Sequence, residues 1–288
     1  MKNAILTIDV EEWYQLEYLD SDEENRKNVK MVPAILNLLD LLNKYNIKAT
    51  FFVLADIADE YFDVLNEIKD QGHEIGCHGN DHKLLHDMTD EQFRINAHIA
   101  REKLENIFGP CVVKGYRASC FSLNRSKLDV LQELGYIYDS SYIRFSEHPL
   151  YGEIDMTGYL KEQSLVYSKD GFYEFEIPTL EILKHNIPIS GGGYMRLFPL
   201  PLLKALIRAY WKYNNNILFY IHPFELTDRK IPFTDSTSFM NKFRASVGRK
   251  KNLDKIKKLI EWMLKSNVKF IVPTEFINKN SVQLGEKG

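Results

Sequence analysis

Cysteine is scarce in this sequence of 288 residues: there are three, Cys77, Cys111 and Cys120. An odd number without C-x-x-C spacing argues against a disulfide framework and against a zinc ribbon, and suits a reducing compartment. An excess of charge of one sign is also missing. With 37 Lys and Arg against 40 Asp and Glu, the formal net charge is -3. No broad basic field therefore draws the chain to nucleic acid or anionic lipid, and no nucleic-acid partner is expected. Long apolar runs are absent as well. The opening MKNAILTIDVEEW breaks at Asp9, too early for a signal peptide or a membrane span, so the chain is read as cytoplasmic. It has no internal repeat and no long low-complexity segment.

What is present is an ordinary globular composition, 44% hydrophobic and 27% charged, with enough apolar mass for a sizeable core. Ala4 to Ile8 is a β-branched run that predicts a buried strand ending at Asp9, Glu11 and Glu12. A charged loop follows from Leu19 to Lys30. Pro33 opens a helix with Ile35, Leu38, Leu39 and Leu42 at helical spacing. KATFFVLA and HEIGCH read as strands on either side of a helix from Tyr61 to Gln71 that Gly72 ends. Thr89 to Phe108 is an amphipathic helix with Thr89 and Gln92 as a capping box.

Strand and helix keep alternating after that. VKGYRA is a strand, Asn124 to Leu134 a helix and Tyr136 to Ser140 a strand; YEFEIP, NILFYIHP and VKFIVP are strands further on, with helices at Leu200 to Trp211 and Leu253 to Lys265. About seven β/α units without a break in composition predict an α/β fold, one closed or nearly closed parallel barrel over residues 1–277. The polar tail, 278–288, is expected to fray.

In a parallel α/β barrel the chemistry collects where strands finish. Those positions hold Asp9 and Glu11, then His78 and His82, then Arg117, Asp139 and His222. Asp9 and Glu11 are two apart, so both can point the same way while Val10 points into the wall; alone, such a pair is more often a pair of solvent-facing acids. His78 and His82 meet on one face if the segment turns helically after His78, as a chelating pair requires. Two imidazoles and a carboxylate suit Zn2+, Fe2+, Co2+ or Ni2+ better than Mg2+ or Ca2+. Strand alternation sends Cys77 away from His78 as a buried inert thiol, and Cys120 is also read as packing.

The ordered set of D-x-E after a strand, CHGNDH, GYRASCFS, YDSS and FYIHPFE, spread over residues 5–225, resembles the polysaccharide deacetylase family, the NodB-homology carbohydrate esterases. It looks closest to the branch associated with exopolysaccharide biosynthesis. The resemblance implies a distorted (β/α)7 barrel that binds a divalent metal, usually zinc, through an acid and the H-x-x-x-H histidines, here His78 and His82. The family's first motif has two adjacent aspartates; here the second is Val10, and Glu11 is the natural substitute. On that basis Asp9 is assigned as general base and Glu11 as metal ligand, with the reverse assignment as the alternative. Arg117 corresponds to the arginine that orients the base. His222 corresponds to the general acid, and Asp139 to the aspartate that holds it.

The function this implies is a hydrolase acting on carbon–nitrogen bonds, a metal-dependent N-deacetylase of an amino sugar in a glycan or glycan precursor. The alternatives are hydrolysis of another amide, a formamide or cyclic amide, and a catalytically silent carbohydrate-binding barrel. Other stretches carry less. SGGGYMRLFP at 190–199 lacks the lysine and spacing of a phosphate loop and is read as a loop flanking the sugar groove, not as a phosphate cradle assisted by Arg196. Residues 227–251 mix Phe233, Phe239 and Phe243 with seven Lys and Arg, and are read as a packed loop or as a peripheral contact with a lipid-linked substrate. Trp13 and Tyr14 are candidates for stacking on a sugar ring, with core packing nearly as favoured.

Overall fold

Alternation along the first strand decides how the molecule is built. In the computed structural model, which describes residues 2–145 and 148–285, Lys2–Val10 forms β1. Its Ala4, Leu6, Ile8 and Val10 pack into one apolar cluster, whereas Ile5 joins a different one. Successive side chains of a strand point to opposite faces. One face of β1 therefore meets a shell of helices, and the other looks into the interior of a curled sheet.

Helices α1 (Glu23–Asn28) and α2 (Val32–Lys44) lead to β2 (Thr50–Val53). Then come α3 (Phe62–Asp70), β3 (Glu74–Cys77), α4 (Asp90–Phe108), β4 (Gly115–Tyr116), α5 (Arg125–Glu133) and β5 (Tyr138–Asp139). The sequence signals act as expected: α2 buries Ile35, Leu38, Leu39 and Leu42. At α4 the Thr89 hydroxyl accepts from the Gln92 N–H while the Gln92 side chain accepts from the Thr89 N–H.

A hairpin, β6 (Leu160–Gln163) and β7 (Val166–Lys169), precedes β8 (Phe172–Phe175). A separate hairpin joins β9 (Thr179–Ile182) to β10 (His185–Pro188). The chain closes with α6 (Gly192–Leu197), α7 (Leu200–Tyr210), β11 (Asn216–Ile221), α8 (Phe239–Ser246), α9 (Asn252–Lys265), β12 (Val268–Phe270) and α10 (Pro273–Gly285).

The sheet runs β11-β1-β2-β3-β4-β5-β8-β7-β6, with β12 also on β1. It is parallel from β11 through β8. Its ends approach one another, the Asn216 amide of β11 donating to Gln163 Oε1 of β6 at 2.9 Å, and Gly191, outside the strands, bridges Tyr220 of β11 in parallel. This is the α/β curled parallel sheet wrapped in helices that the motifs predict, an incompletely closed barrel. The antiparallel β6–β7 hairpin is an addition. Every residue of β6 is exposed, so no apolar alternation marks it.

Inside the barrel, Ile5, Phe52, Tyr138, Phe175, Leu218 and Tyr220 form a continuous plug. Gly115 is required there, because a Cβ at that position would lie 2.0 Å from the Tyr138 ring. Among the described residues no helix is long and apolar enough to cross a membrane. α10 runs into the segment where the sequence predicts a fraying tail.

Candidate metal and catalytic site

The parity of each strand decides which polar residues meet above the plug. On β1, Ile8 and Val10 pack outward, which turns Thr7 and Asp9 inward. On β11, Phe219 and Ile221 pack outward, so His222 continues the inward row of Leu218 and Tyr220. Cys77 and Tyr116 pack outward as well, so His78 and Arg117, one residue on, face the interior. Val10, at the family's second aspartate position, is thus a wall residue, and the inward carboxylate after Asp9 comes from Glu11.

His78 and His82 do meet, but not across a helical turn. The segment bends, with Gly79 at φ +99°, a conformation open to glycine and strained for side-chain-bearing residues. The two rings lie 5.8 Å apart between centroids. His78 Nδ1 is 2.8 Å from the Arg117 carbonyl oxygen; donating that proton fixes the tautomer and leaves Nε2 as a lone-pair donor. His82 Nε2 lies 2.9 Å and His78 Nε2 3.5 Å from Glu11 Oε2. His82 Nδ1 faces Glu17 Oε1 at 3.5 Å.

These atoms fit a divalent cation. One ligand atom from each of Glu11, His78 and His82 lies within 4.8 Å of the others. Tetrahedral zinc with bonds of about 2.0–2.2 Å sets its ligands roughly 3.3–3.5 Å apart. Glu11 Oε2 and His82 Nδ1 are buried without an aligned hydrogen-bond partner, which is costly unless something else satisfies them. The imidazole–carboxylate set is that of a borderline-soft metal.

Two Arg–carboxylate pairs brace the rest of the site. Arg117 Nη1 donates to Asp9 Oδ1 at 2.8 Å and to Thr7 Oγ1 at 2.6 Å, and its Nη2 donates to Ser140 Oγ at 2.7 Å. Asp9 Oδ2 faces His222 Nε2 at 3.7 Å. On the far side of the imidazole, Glu225 Oε2 lies 3.3 Å from His222 Nδ1, and Arg196 Nε holds Glu225 Oε1 at 2.7 Å.

Asp139 is not part of this group, contrary to the role implied for it. Tyr138 occupies the inward position of β5, so the next residue points out of the interior. There Asp139 accepts from the Ser141 N–H and hydroxyl and sits against Glu174. The carboxylate behind His222 is Glu225. Its position three residues after the histidine, in FYIHPFE, is the sequence signal that identifies it. Arg196 carries no such mark.

Burial and charge set the protonation of the site. Burial pushes the Glu11 carboxyl up, but His82 and His222 outweigh it and hold Glu11 well below the ordinary range. For His82 burial pushes down, and Glu11 and Glu17 overcome it, raising the imidazole to about 10. His222 follows the same pattern: burial opposes, Glu11, Glu225 and Asp9 prevail, and the result is about 9. Glu225 would be raised by burial, yet Arg196 and His222 bring it down to about 2. Cys77 is pushed up to about 11 by burial, the inert thiol expected of it.

Asp9, Glu11, His78, His82, His222 and Glu225 open into one cavity of about 460 Å³, whose walls include Tyr18, Phe121, Tyr151, Tyr194 and Phe224. That is within the size range of small-molecule sites. Cys120 also lines it. Trp13 does not: it is fully buried, with its indole N–H donated to the Val29 carbonyl at 2.8 Å, so core packing and not sugar stacking holds it. The 190–199 stretch flanks the cavity partly as a helix, and Arg196 is committed to Glu225 rather than free for a phosphate.

Residues 30–138 match the family model described as polysaccharide deacetylase, and residues 140–273 match a domain of unknown function, DUF3473. The chitooligosaccharide deacetylase of Azorhizobium caulinodans is 30% identical over 118 residues, 41% of this chain and 54% of that one. The peptidoglycan-N-acetylglucosamine deacetylase of Bacillus cereus is 35% identical over 69 residues, 24% and 25% of the two chains. The chain thus spans about half or less of the length of these curated relatives. Among solved structures, a Mycobacterium smegmatis protein assigned as a polysaccharide deacetylase superposes with a TM-score of 0.67 at 19% identity, over 98% of this chain and 91% of that one. An acetyl xylan esterase from Clostridium thermocellum, solved with a cobalt ion, gives 0.53 at 12% identity over 97% and 92%. At these identities the likeness is one of fold.

Proposed function

We propose that this chain, whose family model, curated relatives and fold support a place among the polysaccharide deacetylases, is a metal-dependent N-deacetylase of an amino sugar. The observation that carries the reading is the convergence of Glu11, His78 and His82 on one point, with Asp9 and His222 beside it. A divalent cation there, zinc by its donor set with cobalt or nickel as substitutes, would supply Lewis acidity to the amide oxygen and to water. Within this reading the substrate belongs to an exopolysaccharide or its cytoplasmic precursor, in line with the branch that the ordered motifs resemble.

The chain's own groups divide the proton work. Arg117, itself held by Thr7 and Ser140, fixes the Asp9 carboxylate so that its second oxygen faces the cavity as a base for the attacking water. His222, charged at neutral pH and held through Nδ1 by Glu225, presents an Nε2 proton to the departing nitrogen. Water adds to the acyl carbon and the carbon–nitrogen bond breaks; the proton that Asp9 takes from the water offsets the one that His222 gives to the nitrogen, and the products leave as acetic acid and amine, which become acetate and ammonium in solution. Acetate release from N-acetylglucosamine oligosaccharides by the zinc-loaded protein, lost in Asp9→Asn, tests this. Release that survives that substitution refutes it.

A further inference from the structure

One wall of the cavity carries a cation that has no carboxylate beside it among the described residues. Arg244 lines the mouth, where its Nη2 lies 2.7 Å from His148 Nε2 and its guanidinium 5.0 Å from the centre of the Tyr18 ring. The neighbouring arginines are committed. Arg117 holds Asp9 and Arg196 holds Glu225, while Arg249 donates to the carbonyls of Phe224 and Arg229. Among the described residues, no carboxylate lies within ion-pair distance of Arg244. Burial and the adjacent guanidinium push His148 down to about 4, so it adds an uncharged acceptor and no second charge.

Beside this cation runs an apolar row. On α8, residues four apart share a face, which aligns Phe239 with Phe243 and Met240 with Arg244. Phe239 is 84% exposed, Met240 68% and Phe243 50%, and Leu197 on α6 is 50% exposed. Met240, Phe243 and Leu197 line the same mouth as Arg244. Phe233, from the same stretch, instead packs against a buried cluster, so these exposed residues are not simply the outside of a packed loop.

A planar guanidinium is well matched to phosphate oxygens, and apolar groups left exposed together at a cavity mouth mark a binding surface. We propose that the substrate is a lipid-linked amino-sugar phosphate: Arg244 takes the phosphate, and Phe239, Met240, Phe243 and Leu197 take the hydrocarbon attached to it. This rests on the deacetylase reading for the placement of the sugar, and adds to it the chemistry of the group that follows. A nucleotide would bring a polar base and a second phosphate to a surface where the described residues offer one guanidinium without a carboxylate, and hydrocarbon.

The test is titration calorimetry on the full chain with four probes: N-acetylglucosamine, its 1-phosphate, the dodecyl phosphodiester of that sugar, and the uridine diphosphate sugar. The 1-phosphate binds about tenfold tighter than the neutral sugar, the size of one charge-assisted pair, and the dodecyl diester binds tighter again. Arg244→Gln removes the first gain. The double substitution Phe239→Ser, Phe243→Ser removes the second. Lys279→Gln, on α10 and outside the cavity lining, keeps both. Equal affinities for the neutral and phosphorylated sugars, a phosphate gain that survives Arg244→Gln, no gain from the dodecyl chain, or tightest binding by the uridine diphosphate sugar overturns the proposal. Failure of the deacetylase reading would be seen separately, as no acetate released from any probe while the order of binding holds.

Discussion

Glu225 Oε2 stands 3.3 Å behind His222 Nδ1, on the side of the ring away from Asp9. With Glu11 and Asp9, Glu225 raises the imidazole to about 9 against the pull of burial. A general acid works while protonated, so activity falls as pH rises through that value. Glu225→Gln lowers the His222 pKa and moves the basic limb of the kcat/KM profile to lower pH, by on the order of one unit. A limb that stays in place would detach Glu225 from the acid.

Asp139 supplies the matching control. It lies beside Glu174, with its own carboxyl pushed up to about 6 by burial, and makes no contact with His222. Asp139→Asn therefore leaves the basic limb where it is in the wild-type profile. A shift equal to that of Glu225→Gln would restore the role first implied for Asp139.

Arg117 and Asp9 form a pair in which the side chains are 0% and 3% exposed. Removing one partner of a buried pair typically costs about 3–5 kcal/mol, because the remaining charge stays buried. Arg117→Met is expected to destabilise the metal-free protein by about that much, read from the urea midpoint at constant slope. A change below about 1 kcal/mol would mean that Asp9 is held by other groups.

Metal uptake carries a pH signature. In the metal-free protein His82 is raised to about 10, so it is charged at neutral pH and must lose its proton to act as a ligand. Apparent zinc affinity then rises with pH between 7 and 9, roughly tenfold per unit, and about one proton from His82 is released per ion. Calorimetry at one pH in two buffers of different ionisation enthalpy measures that number. Zero release would contradict the ligand set. The sign for stability is the reverse: the His82–Glu11 interaction supports the metal-free fold at neutral pH and is lost as pH rises through about 10.

Substitutions separate the two acids of the first strand end. Asp9→Asn should lower kcat by roughly 10²- to 10⁴-fold, the usual worth of general acid–base catalysis, with zinc affinity changed only a few-fold. Glu11→Gln should cost more zinc affinity than the roughly 10- to 100-fold lost when a group behind a ligand is removed. Competition against a chromogenic chelator reads both. The opposite pattern would assign the ligand to Asp9.

Much of this was legible in the sequence because strand periodicity is simple. The alternation of apolar residues through Ile8 and Val10 places Asp9 and Glu11 on the inner face, and FYIHP places His222 the same way. Parity also explains the miss at Asp139: the strand there is two residues long, too short to show which face is which. Arg196 lay beyond reach because its pairing with Glu225 spans 29 positions and depends on how α6 docks beside β11. The bend at Gly79 was hidden for another reason. Histidines four apart suit a helix, and only the positive φ of the glycine shows that a loop brings them together.

The most direct test of the central claim is an anomalous difference map of crystals soaked in zinc, recorded on both sides of the zinc absorption edge. One peak is expected, about 2.0–2.2 Å from Nε2 of His78, Nε2 of His82 and a carboxylate oxygen of Glu11, with Asp9 outside bonding distance and still on Arg117. A peak bonded to Asp9 in place of Glu11, or zinc bound elsewhere with the two imidazoles empty, would contradict it.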